Sequence, residues 1–125
     1  MNDIKAIYDV IKDYIRAFYP TGSNYICNPP VTDTDVDYLI LAKHKKALAY
    51  TLMENKFTIN PIDYYEQGKE VLFESWRRGN INLLVMTDID HFNKWVEATI
   101  LAKKLNLLDK KQRVDLFNYV KFGEL

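Results

Sequence analysis

The sequence predicts an α/β fold of the α+β kind, a small mixed β-sheet flanked by helices. Three observations lead there. Apolar residues recur at helical spacing near the N-terminus and twice towards the C-terminus; short β-rich runs fill the middle; and few Gly or Pro residues interrupt them. The order is helix, strand, helix, several strands, two helices, which suits a sheet with helices packed against it.

Ile4, Ile7, Tyr8, Ile11, Tyr14, Ile15 and Phe18 predict an amphipathic helix over 3–18, with Asp3 as its N-cap. Pro20, Gly22, Pro29 and Pro30 then mark an irregular loop from Pro20 to Thr34. A loop that long in a small domain is usually functional or disordered. Asp35 to Ala42 alternates at first and then turns uniformly apolar, as a buried strand does when its leading end emerges at a site. Lys45 to Glu54 reads as a helix with Leu48, Leu52 and Met53 inward. Phe57-Thr58-Ile59 is a short strand, and Tyr64-Tyr65 with Val71-Leu72-Phe73 forms another or a hairpin around Gly68. Asn80 to Met86 is a strand. Asp88 or Asp90 caps a helix of roughly 90–105, and Asp109 caps another of roughly 109–121.

The 125 residues are expected to form one domain over 1–125, with 48% hydrophobic and 27% charged residues. Seventeen basic residues balance seventeen acidic ones, so the overall charge speaks against a grip on long nucleic acid by bulk charge. One cysteine excludes a disulfide framework, and two histidines make a structural zinc site improbable. No apolar run approaches the ~20 residues of a membrane helix, and the N-terminus lacks a signal-peptide apolar region. The expectation is a cytoplasmic protein with no membrane partner.

Asp35 and Asp37 flank Val36, so on a strand they project from one face. Two nearby carboxylates repel each other; a hard divalent cation such as Mg²⁺ relieves this, and so does solvation at a strand end. Upstream, Gly22-Ser23 is separated from Asp35 by the eleven residues Asn24 to Thr34. Glycine lets a backbone approach phosphate, and a serine hydroxyl bonds phosphate oxygens.

Gly22-Ser23, the spacer, and Asp35-Val36-Asp37-Tyr38 together resemble the signature of the DNA polymerase beta-like nucleotidyltransferase superfamily. That signature is a hydrophobic position, Gly, then Gly or Ser, a spacer, and Asp-hydrophobic-Asp/Glu-hydrophobic. Arg77-Arg78-Gly79-Asn80-Ile81-Asn82-Leu83-Leu84 is similar to the family's later strand, on which a third carboxylate is expected. Asn80 stands where that acid belongs, with Asn82, on the same face, as the alternative. The segment from Phe92 through Trp95, Ala98, Leu105 and Leu108 to Arg113 also resembles small stand-alone phage proteins of this type.

The resemblance implies that Asp35 and Asp37 bind one or two Mg²⁺ ions and that Gly22 and Ser23 hold the phosphates of a nucleoside triphosphate. It implies transfer of the nucleotidyl group to a hydroxyl acceptor, on a protein or a nucleic acid. Arg77, Arg78 or Lys43 would stabilise the phosphates, and Tyr25 or Trp76 would stack on the base. An asparagine cannot accept the proton of an attacking hydroxyl. Asn80 therefore leaves a second reading open, a catalytically degenerate nucleotide-binding or antitoxin- or inhibitor-like interaction protein. With no evident acceptor-binding domain, a homodimer or a partner protein is expected.

The other polar residues have plainer readings. Asp88 is foremost a helix cap, and an outside candidate for the third carboxylate. Asp33 braces the loop. His44 and His91 are surface or local hydrogen-bonding residues, and Cys27 is a small packed side chain. The runs Lys43–Lys46 and Lys110–Arg113 are solvated helix faces, and Trp95 packs in the core.

Overall fold

The computed structural model describes residues 3–27, 35–60, 73–107 and 109–123. Asp33, the Tyr64-Tyr65 pair, Gly68 and Val71-Leu72 lie outside them, so the strand or hairpin expected there does too.

The chain opens with α1 (Asp3–Ile11), which buries Ile7 and Ile11. The predicted helix over 3–18 is cut short: a 3-10 turn at Lys12–Tyr14 leads into strand β1 (Ile15–Thr21). The apolar residues of 4–18 do fit one helical stripe, but Ile15, Phe18 and Tyr19 are β-branched or aromatic and favour a strand when a partner is at hand. That partner is β2 (Val36–Ala42), paired antiparallel so that Phe18 faces Ile40 and Thr21 faces Asp37. The Tyr14 carbonyl accepts bonds from the backbone N–H groups of Lys43 and His44, which pins the turn to the far end of β2. β1 is an edge strand, and this is where Pro20 can sit without removing a needed ladder bond.

Of the loop expected from Pro20 to Thr34, residues 28–34 lie outside the described residues. Gly22–Ile26 forms a one-turn helix, α2, directly after β1. Helix α3 (Lys45–Glu54) follows β2 and buries Leu48 and Leu52. Met53, expected inward, is 54% exposed, because the helical period carries it off the stripe that Leu48 and Leu52 share. Among the described residues, strands β3 (Thr58–Asn60), β4 (Glu74–Arg78) and β5 (Ile81–Met86) join β1 and β2 in a five-stranded sheet of order β1-β2-β5-β4-β3. β5 runs parallel to β2, and every other pairing is antiparallel. This is the small mixed sheet flanked by helices that the sequence predicts.

Two helices close the chain. Asp88 caps α4 (Ile89–Lys104) by accepting from the N–H groups of Asp90 and His91. Asp109 caps α5 (Lys110–Phe122) through Lys111 and Gln112, and Gly123 ends that helix in the left-handed conformation.

Alternation along the strands sorts the core into two clusters, one on each face. Ile40, Leu83, Val85 and Trp76 pack with α1 and α3. Leu39, Leu41, Leu84 and Met86 pack with Phe92 and Trp95 of α4. Leu39, Ile40 and Leu83 are fully buried, and each contributes about 1.5–3 kcal/mol over an exposed position. Because the parallel pair β2–β5 is covered on both faces, its middle reads as an unbroken apolar run.

Candidate functional site

The sheet face that carries Leu39 and Leu84 turns polar at the leading end of β2. Asp35 and Asp37 project there together, as their spacing predicts. β5 sits alongside in a register that sets Asn82 against Asp37, and β4 sets Arg77 against Asn82. Asp35, Asp37, Asn82 and Arg77 line one cavity of about 530 Å³ with Thr21, Gly22 and Ser23.

A hydrogen-bonded chain fixes the centre of this face. Ser75, 1% exposed, donates its hydroxyl to Asn82 Oδ1 at 2.5 Å. This turns the Asn82 amide so that Nδ2 donates to Asp37 Oδ1 at 3.0 Å. Asn82 thus presents an N–H group, not an oxygen, to the carboxylate. Arg77 Nη1 forms an ion pair with Asp35 Oδ2. Burial, reinforced by the Asp35 charge, pushes the Asp37 carboxyl from 3.8 up to about 6, although the Asn82 bond and Arg77 pull it down.

Gly22 has a role beyond the expected phosphate approach. Its φ is +80°, and a Cβ there would meet Asp37 Oδ2 at 2.1 Å. Only glycine leaves room for the carboxylate to lie against the chain at the start of α2. Thr21, just before it, is buried and shares a 2.7 Å hydroxyl–hydroxyl bond with Thr99 of α4. That bond ties the β1–α2 corner to the helix beneath the cavity.

Several residues nominated from sequence lie elsewhere. Asn80 is exposed in the β4–β5 turn, and its carbonyl accepts from Val36 N–H; Asn82, the alternative, is the one beside the aspartates. The two share strand parity, but pairing begins only at Ile81. Arg78 projects to the opposite face, where it bonds the Asn55 carbonyl and lies over the Phe57 ring. Trp76 is buried in the core of that face and is not placed to stack on a ligand. Lys43 is exposed at the other end of β2, six residues and roughly 20 Å from Asp37. Tyr25 is held against Tyr19 and under Lys103, outside the cavity lining. Asp88 serves its helix as a cap at the far end of β5. His91 is 4% exposed and packs edge-on to Trp95, so of its two expected roles, surface or local hydrogen bonding, the surface one is overturned.

Sequence reasoning missed the wall that α5 contributes. Lys110, Arg113, Phe117 and Lys121 all line the cavity. The run Lys110–Arg113 is therefore only partly a solvated face. The signal that marks this wall is helical spacing: residues 110, 113, 117 and 121 lie on one face, whereas Lys111 lies off it and pairs with Asp115. Trp95 forms the floor, and Lys121 Nζ sits 3.9 Å from its ring centre.

The donor chemistry fits a hard cation. Asp35 and Asp37 offer carboxylate oxygens on one face, and a dication would relieve the repulsion and burial that raise the Asp37 pKa. Among the described residues no group of three or more His, Cys, Asp or Glu comes together. Two carboxylates suit Mg²⁺, which takes one or two protein carboxylates and completes its shell with water or phosphate oxygens.

No protein-family model, curated protein or solved structure matches this chain.

Proposed function

We propose that this protein is a nucleotidyltransferase-like protein that binds a nucleoside triphosphate with Mg²⁺ and transfers the nucleotidyl group to a hydroxyl acceptor, the new bond to the α-phosphorus replacing the one to the β-phosphate as pyrophosphate leaves and the hydroxyl proton passes to solvent. One observation carries the reading: Asp35 and Asp37 converge with Gly22 and Ser23 on one cavity, although eleven residues separate Ser23 from Asp35. Cavities of a few hundred Å³ with a few convergent polar groups are the usual form of small-ligand sites.

In this reading Asp35 and Asp37 hold Mg²⁺, which when bound supplies charge neutralisation to the phosphates. Gly22 keeps the Asp37 carboxylate seated against the β1–α2 corner. Ser23 bonds phosphate oxygens. Arg77 orients Asp35, and Asn82 orients Asp37. The acceptor is brought by a partner protein or a second copy of the chain, and the setting is the cytoplasm. Incubation with α-labelled nucleoside triphosphate and Mg²⁺ tests this. Label should move to an acceptor, and Asp35→Ala should abolish the transfer; equal transfer by the variant refutes the reading.

Asn82 favours a second reading, a nucleotide-binding or antitoxin-like protein with weakened chemistry. Its amide donates to Asp37 and offers no proton acceptor. In that case triphosphate with Mg²⁺ raises the melting temperature without turnover.

A further inference from the structure

The cavity has a cationic wall that neither the acidic strand nor the Gly-Ser turn provides. We propose that α5 binds the oligophosphate chain of the ligand through Lys110 and Arg113, with Lys121 behind them. The proposal rests on the nucleotide reading and assigns its phosphate-binding side to a helix outside the Gly-Ser and Asp-Val-Asp motifs.

The charges around the cavity are sorted by element. The carboxylates, Asp35 and Asp37, come from the start of β2, and Arg77 of β4 is engaged by Asp35. The other three cations, Lys110, Arg113 and Lys121, come from α5. The acid of that helix, Asp115, is turned away from the cavity and pairs with Lys111. The charged side chains that α5 brings to the cavity lining are therefore all cationic, set among Val114, Phe117 and Asn118.

Arg113 is also held in place. Its Nη1 donates to the Leu107 carbonyl at 2.8 Å and lies 3.3 Å from the sulfur of buried Cys27. A guanidinium fixed in this way loses less entropy on meeting a phosphate. Lys121 is only 7% exposed, a costly place for an ammonium group. The faces of Trp95 and Phe73, 3.9 and 5.8 Å away, offset part of that cost. Lys43 and Arg78, the cations that the sequence nominates besides Arg77, lie away from the cavity. With a hard cation at the aspartates and these groups lining the same cavity, the site matches a chain of several phosphates better than a single carboxylate or an uncharged ligand.

Calorimetric titration with inorganic tripolyphosphate, without metal and at ~150 mM salt, tests this on the whole chain. The wild-type chain should bind, and Lys110→Glu/Arg113→Gln should bind at least tenfold more weakly. Lys46→Gln, at an exposed position of α3 outside the cavity lining, should bind as wild type. If Arg113→Gln impairs folding, as judged by circular dichroism, Lys110→Glu alone carries the comparison. Absence of wild-type binding, or equal binding by the variant, overturns the assignment. Parallel titrations with a nucleoside triphosphate and with sulfate separate a nucleotide, a free polyphosphate and any polyvalent anion; sulfate binding as tight as tripolyphosphate also overturns it. A chain that transfers nucleotide but ignores tripolyphosphate refutes the α5 assignment alone. One that binds tripolyphosphate and no nucleotide refutes the nucleotide reading alone.

Discussion

Asp37→Asn should stabilise the protein at neutral pH. The carboxyl titrates at about 6 in the fold against 3.8 ordinarily, chiefly because burial disfavours its charge. At about 1.4 kcal/mol per pH unit, that gap is about 3 kcal/mol of stability. The sign follows from proton binding. Between 3.8 and about 6 the folded chain holds this proton more tightly than the unfolded one, so stability falls as pH rises through that window and stays lower above it. An asparagine keeps the shape and still accepts from Asn82, but it has no charge to bury. Urea denaturation at pH 7.5 should place the variant about 3 kcal/mol above wild type, or roughly 10 °C higher in Tm. The difference should shrink towards zero near pH 4. Equal stability at pH 7.5, or a gain that persists undiminished at pH 4, refutes the reasoning. Saturating Mg²⁺ should narrow the gap, since a cation binds the wild-type carboxylate and not the amide.

The remaining predictions concern residues around the same cavity. His91, held neutral by burial and the nearby Lys121 charge, titrates at about 4 instead of 6.5, so its contribution is lost as pH falls through that window. It opposes Asp37; His91→Phe should therefore gain stability relative to wild type on acidification from 6.5 to 4, measured by the same urea titrations. Gly22→Ala should cost about 1–3 kcal/mol, from the positive φ and the clash with Asp37. In a double-mutant cycle Asp37→Ala should recover part of that loss and leave the backbone share. Asn82→Asp removes a donor 3.0 Å from Asp37 and adds a like charge, so a thermal melt should fall without metal and recover with Mg²⁺ more than wild type does.

Alternation made the acidic half of the site legible. Asp35 and Asp37 had to share a face on any strand through Val36, and the apolar run after them had to be covered on both sides. What escaped the sequence was pairing. Ile15 and Phe18 satisfy a helical stripe as well as a strand, and only the availability of β2 decides between them. Asn80 and Asn82 have the same parity, and only the start of the β4–β5 ladder separates an exposed turn residue from a buried neighbour of Asp37. Arg77 and Arg78 are adjacent in sequence and point to opposite faces, so only one of the two can face the cavity, and only the pairing of β4 with β5 says which. The α5 wall is a different case. Its period is visible in the chain, but nothing local says that this face, rather than its solvated back, meets the sheet.

The pairing of Ser75 with Asn82 bears on what an amide does at this position that a carboxylate would not. The Ser75 hydroxyl would serve an aspartate oxygen as readily as the amide oxygen it now meets, and aspartate and asparagine have nearly the same shape. Ser75 is therefore indifferent to which of the two stands there, and what the choice sets is the charge and the donor that Asp37 meets. A third acid would sit beside an Asp37 that burial and Asp35 already strain. Asparagine supplies a donor and lowers the strain that ionised Asp37 imposes on the fold. It also withdraws the one group at that position able to take a proton. Stability without metal and capacity for proton transfer are thus in opposition at position 82, and the effect of Mg²⁺ on Asn82→Asp measures the balance between them.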